Sequence, residues 1–245
     1  MLAMGAQNVM IRGIFFDLYC TLIDIRTDEG DMRVYDALAQ YLAYHSVVIQ
    51  PHELRAAFFG LVQRQLDQSK EKHPEADMFQ VFGEIMEKHG KGIYSDQSVL
   101  DTTVLFRSLT MRRFGLFPGV AETLGELKKR YRLGLISDAQ WTFTEPELRM
   151  LDLDRFFTTL LLSSRFGYKK PDKRLFDEAM RRLGVAPGES VYIGDSLSKD
   201  MVGAKSAGMK FILFQSERRE VNGFSPDATM GDYSELPGIL KQLEK

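Results

Sequence analysis

Short apolar runs rich in β-forming residues punctuate the chain, and polar residues follow them. The first run, residues 9–16, stops at Asp17 and predicts a buried strand. Runs of the same kind cover 133–136, 159–162, 191–193 and 211–214. Helical patterns separate them over 121–130, 146–151, 173–183 and 200–207. Strands alternating with helices predict parallel pairing, because a parallel crossover needs a dozen or more residues. The pattern therefore predicts an α/β protein.

The stretch 31–114 reads differently. It holds four amphipathic helical patterns, 31–45, 51–71, 77–89 and 98–114, and no convincing strand. Pro51 suits a helix first turn and Gly90 a helix stop. Phe58, Phe59, Val62 and Leu66 stand at helical spacing and read as bundle core. We expect a helical insertion between the first strand and the remainder of the α/β domain. No internal repeat or low-complexity tract is visible.

Composition narrows the classes without naming an activity. The 245 residues are 44% hydrophobic and 27% charged, as in ordinary soluble globular proteins. Thirty-two basic and 34 acidic residues give a net charge of −2, which offers no hint of nucleic acid or an anionic membrane as partner. The single cysteine, Cys20, excludes an intrachain disulfide and a cysteine-based zinc site and suits a reducing cytoplasm. No apolar run reaches the roughly 18 residues of a membrane span. The N-terminal residues have no basic region ahead of an apolar stretch, so no signal peptide is expected.

Ligands of open α/β sheets bind beyond the carboxyl ends of the strands. The first run is followed by Asp17-Leu18-Tyr19-Cys20-Thr21 and the second by Ser137-Asp138. Lys169-Lys170-Pro171 lies beyond the third, and Gly194-Asp195-Ser196-Leu197-Ser198-Lys199-Asp200 follows the fourth. A single polar residue at a strand end is ordinarily a turn former or a helix cap. Four such ends that together carry carboxylates, a hydroxyl and an ammonium point to a site.

The order and spacing of these pieces resemble the haloacid dehalogenase superfamily, whose members are mostly phosphatases with an aspartate nucleophile. The resemblance rests on the DxxxTL element from Asp17 to Leu22, Ser137, the Lys170-Pro171 pair, and GDSxxxDxxGAxxAGM from Gly194 to Met209. Phe117-Pro118-Gly119-Val120 also looks like the family's entry to the second core segment. The resemblance implies a Rossmann-like three-layer parallel-sheet core over 1–25 and 115–245, with an inserted α-helical bundle cap over 26–114. It implies Asp17 as nucleophile through an aspartyl-phosphate. Mg²⁺ would be held by Asp17, the Tyr19 backbone carbonyl and Asp195, with Asp200 supporting it directly or through water. Ser137 and Lys170 would bind the transferring phosphoryl group, with Asp138 beside them. Lys170 is preferred to Lys169 because it directly precedes Pro171.

The implied roles have a physical rationale. A carboxylate attacking a phosphate ester is an anion meeting an anion. A hard divalent cation with oxygen ligands, and a fixed ammonium, offset that repulsion and the transition-state charge. Covalent catalysis splits one difficult displacement into two easier ones. The expected substrate is a small phosphorylated metabolite, with no nucleic-acid or membrane partner.

One position departs from the phosphatase pattern. Family phosphatases mostly carry a second Asp two residues after the nucleophile, as general acid and base; here Tyr19 stands there. A phenol has a reference pKa of about 10 and is a poor general base at neutral pH. General acid–base catalysis is worth about 10²–10⁴-fold. Tyr at this position also resembles true 2-haloacid dehalogenases, whose halide leaves without a proton. Those enzymes use no metal and lack the carboxylate equivalent to Asp195. They carry Asn where this chain has Asp138, Tyr where it has Phe176 and Trp where it has Lys199. They also use an early cap Arg that is missing around 47–49. The alternatives are therefore a metal-independent 2-haloacid dehalogenase, or a low-turnover regulatory protein that keeps the fold and binds Mg²⁺ and phosphate.

Other features read blandly. Cys20 and Arg26 stand in C-x₅-R spacing, but the residues between them include no glycine to let backbone N–H groups wrap a phosphate. Cys20 occupies the family's usual Gly position and reads as a small filler, sensitive to oxidation if its pKa were lowered. His45, His52, His73 and His89 fall in no recognised metal-ligand motif and read as exposed. Trp141 and Phe143 read as pocket mouth or core, and Asp138 either turns its carboxylate to Ser137 or to a backbone N–H, or equally serves as a cap. Gly203, Ala204 and Gly208 read as close helix–sheet packing and a helix end. Gly30 and the stretch 24–31 read as hinge material.

Overall fold

The computed structural model describes residues 10–215 and 221–244. The signal-peptide expectation and Val9, where the first predicted strand begins, lie outside the described residues. In chain order the elements are β1 (Gly13–Phe16), β2 (Ile23–Thr27), α1 (Met32–Tyr44), α2 (Pro51–Gln68), α3 (Met78–His89), α4 (Asp96–Thr110) and β3 (Met111–Leu116). Then follow α5 (Val120–Leu127), β4 (Arg132–Ser137), α6 (Trp141–Met150), β5 (Thr159–Leu162), α7 (Lys173–Leu183), β6 (Ser190–Gly194), α8 (Val202–Ser206), β7 (Lys210–Phe214), β8 (Ala228–Met230) and α9 (Leu236–Leu243).

Six strands form one sheet in the order β5-β4-β1-β6-β7-β8, every pair parallel. Successive side chains of a strand point to opposite faces. Ile14 and Phe16 of β1 accordingly enter one core, with Val120, Leu124, Leu148, Leu236 and Leu240 of α5, α6 and α9. Phe15 enters the other, with Leu175, Phe176 and Ala204 of α7 and α8. Helices thus cover both faces, as a parallel sheet requires, and the Rossmann-like three-layer α/β core is observed. A Cβ at Gly203 would run into the Phe176 ring, so α8 reaches its packing distance only with glycine there. The sheet order reverses at β1, between β4 and β6. The carboxyl ends of these three strands open onto one crevice.

Helices α1 to α4 pack around Tyr35, Leu38, Phe58, Phe82, Ile85, Met86 and Phe106. Of the predicted bundle core, Phe58 is buried and Val62 packs at its edge. Leu66 is half-buried, and Phe59 is exposed. The predicted helix over 98–114 ends at Thr110, where β3 begins and pairs antiparallel with β2. Cross-strand pairing overrides local propensity here, with Arg113 joined to Asp24 at 2.6 Å. The expected boundaries at 25/26 and 114/115 fall inside this ribbon.

Three further elements differ from the pattern. Helix α6 starts at Trp141, ahead of the predicted 146, and carries Pro146 within it. Its first N–H donates to Ser164 Oγ at 2.9 Å, a start signal supplied by another loop. Strand β8 and helix α9 were not foreseen at all. By contrast, α7 matches its prediction, with Asp172 capping its start and Gly184 ending it at φ +67°.

Candidate active site

Asp17 directly follows β1, and its N–H donates to the Ile193 carbonyl of β6 at 2.9 Å, which continues the ladder past the strand end. The chain then turns sharply, the Leu18 carbonyl accepting the N–H groups of Leu22 and Ile23 at 2.8 and 2.9 Å. Cys20 makes the turn in the left-handed region, φ +61°. That conformation favours glycine and explains why a glycine-like position occurs here. Cys20 is exposed rather than a filler. Partial burial of its thiol and the carboxylates of Asp195, Asp17 and Asp24 push its pKa up, opposite to an activated cysteine.

Strand ends bring every predicted residue to one cavity of about 290 Å³. Asp17, Tyr19, Ser137, Asp138, Lys170, Asp195 and Asp200 all line it. Carboxylate oxygens of Asp17, Asp195 and Asp200 lie within 4.8 Å of one another. Lys170, not Lys169, enters this cluster. Its ammonium donates to Asp17 Oδ1 at 2.8 Å and to Asp200 Oδ1 at 2.6 Å. Asp200 Oδ2 accepts the Ser196 N–H at 3.0 Å, so both oxygens of Asp200 are engaged. Gly194 is needed beside it, because a Cβ there would displace the Asp200 carboxylate. Asp195 Oδ1 accepts from Thr21 Oγ1 at 3.3 Å.

The electrostatics follow from burial and like charge. Burial raises the Asp200 pKa, against the pull of Lys170. Burial and then the Asp17 carboxylate raise that of Asp195. For Lys170, burial disfavours the ammonium, but Asp17 and Asp200 outweigh it and hold the pKa well above the ordinary value. Three carboxylates thus face one ammonium, an excess of negative charge that favours a bound cation.

Asp138 neither caps a helix nor bonds Ser137. Its Oδ1 accepts the Lys170 backbone N–H at 2.8 Å, which ties the lysine loop to the end of β4. Its Oδ2 lies 3.5 Å from Lys199 Nζ. The four histidines join no metal-ligating cluster among the described residues. Arg26 is exposed on β2, and no phosphate loop connects it with Cys20.

Several residues were missed. Tyr192 of β6 donates its hydroxyl to the Ile136 carbonyl at 2.8 Å and accepts from Lys170 Nζ at 3.1 Å. The signal available was a phenol within an otherwise apolar strand. Tyr19 donates its hydroxyl to Glu147 Oε2 at 2.5 Å and lies 2.9 Å from Thr144 Oγ1. Glu147 in turn accepts from Arg107 Nε of α4 at 2.6 Å, and that guanidinium lies 5.3 Å from the Tyr19 ring centroid. Burial and then Glu147 push the Tyr19 pKa far up. Gln140 and Glu75 clasp the bundle to the core. Gln140 accepts from Met78 N at 3.0 Å and donates to the Ala76 carbonyl at 2.8 Å, while Ser163 donates to Glu75 at 2.7 Å.

Comparison with known proteins agrees with this geometry. The chain belongs to the haloacid dehalogenase-like hydrolase family, which it matches over residues 14–214. It is 41% identical to the glyceraldehyde 3-phosphate phosphatase of Methanothermobacter thermautotrophicus over 133 residues, 51% of this chain and 58% of that protein. It is 34% identical to the phosphoserine phosphatase of Thermus thermophilus over 51% of each chain. These matches therefore span little more than half the length of the relatives. A 2-haloacid dehalogenase structure from Pseudomonas syringae superposes with a TM-score of 0.70 at 27% identity, covering 95% of this chain and 99% of that one. Among the described residues no helix is long and apolar enough to cross a membrane.

Proposed function

We propose that this chain is a Mg²⁺-dependent phosphatase that acts on a small phosphorylated metabolite through an aspartyl-phosphate on Asp17. The carrying observation is the convergence of Asp17, Asp195 and Asp200 on one point with a single ammonium among them. Hard oxygen donors at this spacing fit Mg²⁺, which prefers carboxylates and water. Asp17, Asp195 and the Tyr19 carbonyl would hold it. Asp200, with both oxygens engaged, would act behind them. When bound, the ion supplies positive charge against the phosphoryl oxygens. The helical bundle would serve as a cap domain over the crevice, and the single cysteine favours the cytoplasm.

In this reading an Asp17 oxygen attacks phosphorus, the ester P–O bond breaks and its oxygen takes a proton from solvent, and water then attacks the acyl phosphate, releasing inorganic phosphate and restoring Asp17. Lys170 holds the Asp17 carboxylate oriented and offsets charge on the transferring group. Ser137 donates a hydrogen bond to a phosphoryl oxygen. The Tyr19 hydroxyl is already committed to Glu147, so it does not serve as the acid.

A second reading, metal-independent 2-haloacid dehalogenase, is favoured by Tyr19 and by the Pseudomonas syringae likeness. Tyr192 also brings to Lys170 a phenol that Phe176 lacks. Against it stand Asp195, Asp138 and Lys199. Turnover of phosphate esters and of 2-chloropropionate, each with Mg²⁺ or EDTA, separates the readings. The phosphatase reading expects ester hydrolysis that EDTA abolishes and that Asp17→Asn eliminates. It also expects weaker Mg²⁺ binding by Asp195→Asn in calorimetry. Dehalogenation in EDTA with no ester turnover overturns it, and a metal-dependent phosphoenzyme without turnover indicates the low-turnover regulatory protein.

A further inference from the structure

Beside the carboxylate cavity lies a second cavity of about 570 Å³, and Tyr19, Cys20 and Asp138 line both. Its wall is largely carbon: Ile25 of β2, Phe58, Phe59 and Val62 of α2, Phe106 of α4 and Phe143 of α6. Cavities of about 300–1,000 Å³ hold ligands far larger than a phosphoryl group.

The polar groups of this wall are largely spent on the protein itself. The Tyr19 hydroxyl bonds Glu147, and the Gln140 amide bonds the bundle backbone through both its oxygen and its nitrogen. Arg107 is the cation among the lining residues, and Glu147 engages it through two nitrogens at 2.6 and 3.4 Å. Glu29, Glu75 and Asp138 add carboxyl groups to the same wall. A leaving group with its own carboxylate would meet acidic side chains and a cation that is already paired. An uncharged apolar group would meet aromatic rings.

We propose that this second cavity is the leaving-group pocket, and that the substrate is a phosphate monoester of an uncharged, apolar alcohol or phenol. The proposal rests on the phosphatase reading and deepens it. The phosphoryl group sits among Asp17, Ser137 and Lys170. The ester oxygen points past Tyr19, and the carbon skeleton lies along α2 and α4.

The test measures kcat/KM for ethyl, butyl, hexyl and 2-phenylethyl phosphate with Mg²⁺, with phosphoserine as the charged comparison. Calorimetry gives dissociation constants for the matching phosphonates, which cannot be hydrolysed. The alkyl esters share nearly the same leaving-group reactivity, so the trend reports pocket contact. Each methylene fully taken from water is worth about fourfold, so hexyl phosphate should exceed ethyl phosphate by about 30-fold or more even with partial burial. Phosphoserine should fall below ethyl phosphate. Val62→Glu should flatten the chain-length trend in both measurements.

A flat or falling trend in phosphonate affinity, undetectable phosphonate binding, or a preference for phosphoserine overturns the proposal. So does an unaltered trend in Val62→Glu. Ester hydrolysis without a chain-length trend rejects the pocket and keeps the phosphatase reading. A steep phosphonate trend with no ester turned over keeps the pocket's preference and rejects the phosphatase reading.

Discussion

At position 19 a tyrosine lines the carboxylate cavity. Its hydroxyl faces Glu147 and Thr144, away from any role as acid. Tyr19→Phe should therefore leave kcat on phosphate esters within about threefold, since it removes no proton donor from the reaction. It should lower stability by about 1.5–3 kcal/mol, the size of a lost hydrogen bond to a charged group. Tyr19→Asp should instead raise kcat on alkyl phosphates by about 10²-fold, because a carboxyl at this position can protonate a poor leaving group and then activate the attacking water. The gain should be least for p-nitrophenyl phosphate, whose leaving group departs as an anion. Steady-state kinetics on both ester types checks this, and a large loss in Tyr19→Phe would contradict it. The strand-end residues were legible because each lies in a short linear pattern. The partners of Tyr19 were not, because Glu147 and Arg107 come from distant helices that only tertiary packing brings together.

Among elements, the contact between α4 and α6 is a buried ion pair. The Arg107 and Glu147 side chains are 12% and 3% exposed, so both charges are largely withdrawn from water. Arg107→Met leaves the Glu147 carboxylate uncompensated and should cost about 3–5 kcal/mol in urea unfolding. Arg107→Met with Glu147→Leu should recover much of that loss, because no lone charge is then buried. If the double variant is no more stable than the single, the pair is not what joins these helices. Element type was readable wherever periodicity and caps agreed, as in α7. It was lost at the α4–β3 junction, where pairing with β2 sets the end of the helix. It was lost again at β8, whose three residues carry too little pattern to stand out.

Across the whole molecule, the loop between α2 and α3 fastens the bundle to the core. Glu75 N–H donates to the Gly167 carbonyl at 3.0 Å and Lys169 N–H to the His73 carbonyl at 2.9 Å, just ahead of Lys170. Burial raises the Glu75 pKa above its ordinary 4.5, opposed by the hydrogen bond from Ser163. A carboxyl raised in the folded state lends stability that is fully present below the unfolded value and is lost as pH climbs through the folded one. Wild-type melting temperature, compared with that of Glu75→Gln, should therefore decline as pH rises from below 4.5 to 8. Scanning fluorimetry across that window checks the sign; a difference that does not change with pH would contradict it. This docking was invisible in the sequence, because it is made largely by backbone groups.

The β2–β3 ribbon has a wider consequence. Asp28 N–H bonds the Thr110 carbonyl at 2.9 Å, so the chain leaves the sheet and re-enters it at nearly the same place. Eighty-odd intervening residues can therefore lengthen, shorten or change sequence while the flanking strands keep their register, because closing a longer loop adds little entropy. Asp17, Lys170, Asp195 and Asp200 of the smaller cavity lie outside that interval, and Phe58, Phe59, Val62 and Phe106 of the larger one come from within it. Most of the apolar cavity wall and the carboxylate cluster are thereby encoded in separate stretches of chain. Rewriting the interval can reshape that wall, provided the contacts of His73 and Glu75 with the loop that carries Lys170 are kept.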